Sequence, residues 1–158
     1  RYIELGIMKI LYLLLFGVTA NSCFVNKVSI LKVEEKSNIL EVEFCDLSEE
    51  YVNELVKVQA IYSGVEEYWS LSDELECSLN YDVYLNYEEL KSKLFFSSFR
   101  RRLKKVHNNY WKYEAVLEII GEYKVKNERK LGFGHLGAND SQIVAHSIKI
   151  LKIRNKKN

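Results

Sequence analysis

One change of period constrains this chain more than any other feature. From Tyr87 to Val106 the apolar residues recur at Leu90, Leu94, Phe95, Phe99, Leu103 and Val106. Those steps are mostly four, the repeat of one helix face. On both sides of this stretch apolar residues alternate with polar ones, the repeat of a strand with one wet face. A chain with one helix among short alternating runs must bury its apolar area mainly through a sheet. Eleven tyrosines, no proline and clustered β-branched residues point the same way. A length of 158 residues suits one domain.

The alternating runs give an order. Val28 to Val33 and Ile39 to Phe44 read as two strands, with Glu34 to Asn38 as a hairpin loop between them. Asp46 to Leu55 reads as a short helical turn, with Asp46 as its cap. Val56 to Tyr62 is the next strand, Ser63-Gly64 a turn, Val65 to Leu71 the return strand and Tyr81 to Leu85 a third. The helix follows, capped by Asn86. Trp111 to Tyr123 and Gln142 to Ile153 are the last strands, joined by a glycine-bearing loop over Lys124 to Asp140. The fold class expected is mostly β with one helix. The main body reads β-β-β-α-β-β, the order of an OB-fold-like Greek-key barrel, and a roll or incomplete barrel fits equally well.

Met8 to Ser22 reads as an export signal. Lys9 is the positive n-region, Ile10 to Val18 the apolar core, and Thr19 to Ser22 a small and polar end. The run is shorter than the roughly 20 apolar residues that span a bilayer. Residues 1–7 read as an upstream extension. Ala20-Asn21-Ser22-Cys23 resembles the lipobox of bacterial lipoproteins, with Ala20 where leucine is usual, and the resemblance implies a lipid on Cys23. Ordinary cleavage, giving a soluble periplasmic or secreted chain, is the alternative.

There are three cysteines, Cys23, Cys45 and Cys77. With Cys23 lipidated, Cys45 and Cys77 are left to pair in an oxidising compartment. That bond would close a loop of roughly 30 residues, worth about 3–4 kcal/mol on the loop-entropy model. Two buried free thiols are the alternative. The expected organisation is a signal over 8–22, an N-terminal strand or hairpin segment over 23–45, the barrel over 46–153 and a basic tail over 154–158.

Charge excludes more than it proposes. Without Arg1, Glu4 and Lys9, the 23 basic and 22 acidic residues become 21 of each. A neutral chain has no global attraction to nucleic acid. Arg100-Arg101-Arg102-Leu103-Lys104-Lys105 is the one strong charge run, with Tyr110 and Trp111 close behind. Arg100, Arg101, Lys104, Tyr110 and Trp111 could hold a single strand of nucleic acid. Anionic lipid headgroups are another option, and the solvated face of the helix is the simplest one.

Gly132-Phe133-Gly134-His135-Leu136-Gly137 matches the spacing of a dinucleotide fingerprint, but that motif must open a helix. Here a β-branched run follows. His135 on this loop could be a ligand contact or an acid–base group; a turn residue bonded to its own loop is the plainer reading. His107 and His146 have no metal-ligand spacing with it. No serine elbow is present, and Glu66-Glu67 and Glu88-Glu89 read as solvated pairs. No catalytic residue, metal or cofactor is implied.

Gly134-His135-Leu136-Gly137 followed by Asp140-Ser141-Gln142 resembles a GHLG signature of small exported bacterial proteins, many of them lipoprotein-like, for which no activity is known. Val56 to Tyr62 is similar to their V-x-V-x-G-x-Y strand, with Ala60 for the glycine, and Glu67 to Leu71 leads similarly to Cys77. The resemblance implies an OB-like fold and an address. The expected function is therefore a non-enzymatic, lipid-anchored envelope module binding a protein, glycan or lipid partner. Its ligand loop would be Gly132, Gly134, His135, Gly137 and Asp140. A nucleic-acid module is the second expectation, and a small hydrolase centred on His135 the third.

Overall fold

A computed structural model describes residues 27–30, 38–73, 83–93, 96–127 and 131–156. The export signal, Cys23, residues 31–33 of the first expected strand, residues 34–37 of the expected hairpin loop, Cys77, Tyr81, and Leu94 and Phe95 lie outside the described residues.

Seven strands and one α-helix are described: β1 Lys27–Ser29, β2 Leu40–Glu41, β3 Leu55–Val65, β4 Tyr68–Ser72, β5 Val83–Asn86, α1 Phe96–His107, β6 Tyr113–Val125 and β7 Ser141–Asn155. The described residues are mostly β with one α-helix, and their strands pair in a ring. β3 pairs antiparallel with β4, β4 with β5, β7 with β6 and β6 with β3, while β5 runs parallel to β7. The pairing thus returns to its starting strand. β3 divides its second edge between β2 and β4, and β7 divides its own between β5 and β1.

The long strands alternate as their sequences demand. Val56, Val58, Ala60 and Tyr62 of β3 are buried, as are Ala115, Leu117 and Ile119 of β6 and Ile148 and Ile150 of β7. One face of each strand therefore meets inside the ring. β7 carries two extra residues against β6. The register steps from Val116↔Lys152 to Leu117↔Ile150 and from Ile120↔Ser147 to Gly121↔Ala145. Each such bulge bends and twists the strand locally, which lets a 15-residue strand curl.

Several expectations need correction. β1 and β2 do not form a hairpin with each other. β1 pairs with β7 and β2 runs parallel to β3. The strand expected over Ile39 to Phe44 is two residues long and gives way to a 3-10 turn at Phe44–Asp46, which buries Phe44. The 46–55 stretch contributes a single 3-10 turn, Glu49–Tyr51. The turn expected at Ser63-Gly64 lies at Glu66-Glu67, where Glu66 takes φ 53° and β3 has continued through to Val65.

The helix is shorter than its apolar period. Glu88–Ser92 is a 3-10 turn, Lys93 is extended, and α1 starts at Phe96. Asn86 does not cap α1: its Oδ1 accepts the Glu88 N–H at 3.2 Å, an Asx turn leading into the 3-10 turn, whose N-cap position is Tyr87. The expected β6 start at Trp111 shifts to Tyr113. Glu114 is buried, and Arg154 Nε donates to its Oε1 at 2.7 Å. Arg154 and Asn155, expected in a solvated tail, belong to β7.

α1 packs against β6, β1 and the 88–92 turn. Its buried residues Phe96, Phe99, Leu103 and Val106 fall at i, i+3, i+7 and i+10, one stripe of a helix. The opposite face carries Arg100, Arg101, Lys104 and Lys105, all exposed. No helix among the described residues is long and apolar enough to cross a membrane.

Candidate functional site

The β3–β4 hairpin, β5 and the 131–139 loop meet at an aromatic cleft. Strand geometry brings this about: β3 and β4 pair Tyr62 with Leu71 and Gly64 with Trp69, so aromatic residues from both strands come to the same end of the ring. Tyr62 and Trp69 stack at 5.1 Å between ring centroids, with their planes 25° apart. Tyr84 of β5 and Tyr87 just beyond it complete the wall of a cavity of about 360 Å³, with Glu67 and His135 at its rim.

His135 reaches this cleft because its loop is folded back on itself. Phe133 and Asn139 exchange backbone hydrogen bonds of 2.7 and 3.1 Å, and Asn139 Nδ2 donates to Phe133 O at 3.2 Å. Gly134 holds φ 76° and ψ −159°, a region essentially closed to side-chain-bearing residues. A Cβ there would lie 2.8 Å from Tyr84 Cδ2, so the glycine also permits the loop to touch the cleft wall. Leu136 and Gly137 are left-handed as well. At the base, Lys126 bonds Asp140 through both its ammonium and its backbone N–H.

The His135 ring bonds across the cleft rather than to its own loop. Its Nδ1 lies 3.2 Å from Glu67 Oε2, and its plane stands edge-on to Tyr68 at 5.0 Å. A carboxylate, an imidazole and a half-exposed phenol thus stand together beside a stacked aromatic floor. Among the described residues, no serine, threonine or cysteine lines the cleft.

His107, at the end of α1, forms the other limit of the aromatic cluster. Its ring lies 4.3 Å from Trp69 and its Nε2 lies 3.3 Å from Tyr62 Oη. Burial lowers its pKa, and the Arg100 charge lowers it further. Burial raises the Tyr62 phenol well above its ordinary range, and Tyr84 is raised for the same first reason. Both phenols are therefore neutral hydrogen-bonding groups at ordinary pH.

Of the residues singled out by sequence, the structure brings His135 and Gly134 to the cleft, and it places Gly132, Gly137 and Asp140 in the scaffold that holds them there. Arg100, Arg101 and Lys104 line a second, open cleft beside α1. Tyr110 and Trp111 line neither; they pair edge-to-face on the turn after α1. Sequence reasoning missed Tyr62, Trp69, Tyr84, Tyr87 and His107. For the four aromatics the signal is the density of rings from Tyr62 to Tyr87, which reads equally well as core; His107 lies outside that stretch. Among the described residues no group of three or more His, Cys, Asp or Glu could hold a metal ion. After Gly132–Gly137 comes strand β7, not the helix that a dinucleotide fingerprint requires.

Cys45 Sγ lies 3.1 Å from Asp73 Oδ2, at the start of the 74–82 segment that contains Cys77. No protein-family model, curated protein or solved structure matches this chain.

Proposed function

We propose that this chain is a non-enzymatic glycan-binding module of the cell envelope, built on an OB-like barrel and anchored by a lipid on Cys23. The observation that carries the binding reading is the Glu67–His135 pair set beside the Tyr68, Trp69 and Tyr84 rings. Flat aromatic faces stack on the apolar face of a sugar ring, and a neighbouring carboxylate and imidazole take its hydroxyls. A concave, mainly aromatic pocket with a few convergent polar groups is the usual form of a ligand site.

Topology supports the placement. Reading β3, β4, β5, β6 and β7 as strands one to five, with α1 between three and four, gives the OB order. In that fold the face of strands two and three, with loops one-two and four-five, holds oligonucleotides and oligosaccharides. The cleft falls there, between the Glu66-Glu67 turn and the 131–139 loop. Glu67 favours a sugar over a phosphate chain, because a carboxylate accepts hydroxyl hydrogens and repels phosphate. The hydrolase reading gains Glu67 as a partner for His135 but has no nucleophile among the described residues of the cleft lining.

In binding to immobilised oligosaccharides, the protein is expected to capture at least one neutral glycan. Tyr84→Ala and Glu67→Gln are each expected to weaken that capture by about tenfold, the size of one lost aromatic or charge-assisted contact. An array on which wild type captures nothing beyond the Tyr84→Ala, Glu67→Gln double variant would sink the reading.

The envelope part of the proposal rests on the Met8 to Cys23 segment, and the Cys45–Cys77 bond rests on that export; Asp73, beside Cys45, is four residues from Cys77, a step of at most about 13 Å. One mass measurement of the mature chain after alkylation without reduction reads both. The expected product starts at a lipid-bearing Cys23 and takes up no alkyl group at Cys45 or Cys77. An unlipidated N-terminus refutes the anchor, and two alkylated thiols refute the bond.

A further inference from the structure

We propose that the cleft beside α1 is an anion-binding subsite that seats an acidic substituent (phosphate, sulfate or carboxylate) of the glycan held in the aromatic cleft, an inference that rests on the reading above. The cleft is open and measures about 1060 Å³. Among the described residues, Lys91, Lys93, Arg100, Arg101 and Lys104 line it, and no carboxylate does. Lys91 is paired with Glu88. Among the described residues, Lys93, Arg100, Arg101 and Lys104 have no carboxylate within ion-pair distance.

Helix geometry explains the concentration of charge. Ser97, Arg101, Lys104 and Asn108 fall along one stripe of α1 at steps of four, three and four, with Arg100 beside them. α1 contains no acidic residue, so its like charges at i, i+4 repel within the helix. A multivalent oxyanion removes that repulsion and meets the guanidinium forks in their preferred two-point geometry. Ser97 and Asn108 stand on the same stripe as further hydrogen-bonding groups.

The two clefts are linked through shared lining residues. A hollow of about 350 Å³ lies between them, bounded by Tyr87, Lys91, Phe96, Arg100 and His107. It shares Tyr87 with the aromatic cleft and Lys91, Arg100 and His107 with the cationic one. His107 stands at the junction, its ring against Trp69. A ligand lying along this groove meets Glu67 and His135 at one end and unneutralised cations at the other. That polarity suits a sugar chain with a neutral end and an acidic one better than a uniformly charged strand.

The test uses the whole protein and two kinds of probe. Inorganic tripolyphosphate, titrated calorimetrically, is expected to bind saturably. Its affinity should fall by about tenfold in Arg100→Gln, Lys104→Gln, stay unchanged in Tyr84→Ala, and weaken severalfold between about 0.05 and 0.3 M salt. Both substituted positions are exposed on the helix face away from the core, so the fold is kept. No binding, or equal binding by the double variant, overturns the subsite.

A sulfated heparin-derived tetrasaccharide and neutral chitotetraose form the second arm. With Trp111→Phe as background, Trp69 is the one remaining tryptophan and reports on the aromatic cleft. The sulfated chain is expected to bind about tenfold more tightly, needing Tyr84 as well as Arg100 and Lys104. Dependence on Arg100 and Lys104 alone upholds the anion subsite and removes the glycan reading. Equal binding of both sugars does the reverse. Tighter binding of oligothymidylate than of either sugar assigns the groove to nucleic acid and overturns the proposal.

Discussion

Replacing Gly121 with alanine is expected to cost about 3 kcal/mol of folding stability, the upper range for overpacking, and replacing it with valine to prevent folding. Gly121 is buried in β6, the strand between β3 and β7, opposite Val56 on one side and Ala145 on the other. It stands where the β6–β7 register shifts. A Cβ added there would lie 2.4 Å from Val144 O, 2.7 Å from Ile143 Cγ2 and 3.0 Å from Ala145 Cα. Two of those neighbours are backbone atoms, and they cannot retreat without opening the ladder. The opposing effect is small: exchanging glycine for alanine in a strand recovers only about 0.5–1 kcal/mol of chain entropy and propensity. The clash therefore wins. Urea unfolding followed by tryptophan emission should show the alanine variant's midpoint about 1 M or more below wild type, with little change in slope. Coincident midpoints would show that the strands part freely at this point, and the account of the bulge would be wrong.

The position bears on function as well as stability. β6 ends at Val125, and the chain then passes through the loop that carries His135 to the aromatic cleft. A β6–β7 pair pushed apart at Gly121 and Ala145 would shift the base of that loop at Lys126 and Asp140, only a few residues on. The glycine that lets two strands touch thus also helps to position the cleft rim.

What the sequence makes legible follows how local each determinant is. β3, β6 and β7 could be read because burial on one face leaves an alternation along ten or more residues. β1 could be read as a strand but not paired, because its partner is Ile148, opposite Val28, at the far end of the chain. Gly64 looked like a turn beside Ser63, yet the ladder passes through it, and Glu66 supplies the left-handed residue instead. α1 was legible in its apolar stripe and not in its start. Leu90 keeps the helical period while sitting in a 3-10 turn, and an extended Lys93 intervenes. The site was the least legible part. Tyr62, Trp69, Tyr84, His107 and His135 come from five separate places, and each alone reads as core or turn. The basic run was visible from the start, but its expected aromatic partners, Tyr110 and Trp111, turn out to stand outside the cleft. The rings that do line it, Phe96 and His107, belong to α1 itself, and His107 meets Trp69 only because the fold brings β4 near the end of the helix.

The helix must stay docked for that arrangement to exist, and Phe99 is its strongest anchor. Phe99→Ala is expected to destabilise the fold by about 3–5 kcal/mol, the range for removing a buried phenylalanine ring. Phe99 is 1 % exposed, the least of the two phenylalanines in the buried stripe of α1, and its ring lies 5.9 Å from that of Phe96. Truncation loses the transfer energy of the ring, the aromatic pair, and the packing around the space left behind. Collapse offers little relief, because α1 is held in place by Leu103 and Val106 further along and by the 88–92 turn at its other end. Phe99→Leu keeps most of the volume and should cost less than half as much. Lys105→Ala, on the exposed face of the same helix, loses only the contact of its ammonium with the Tyr113 ring at 4.4 Å and should lie within about 1 kcal/mol of wild type. Thermal melts of the three variants supply the check: a steep loss for alanine, an intermediate one for leucine and almost none at Lys105. If Phe99→Ala melts with Lys105→Ala, the stripe does not hold α1 to β6, and the cationic cleft that depends on this docking loses its support.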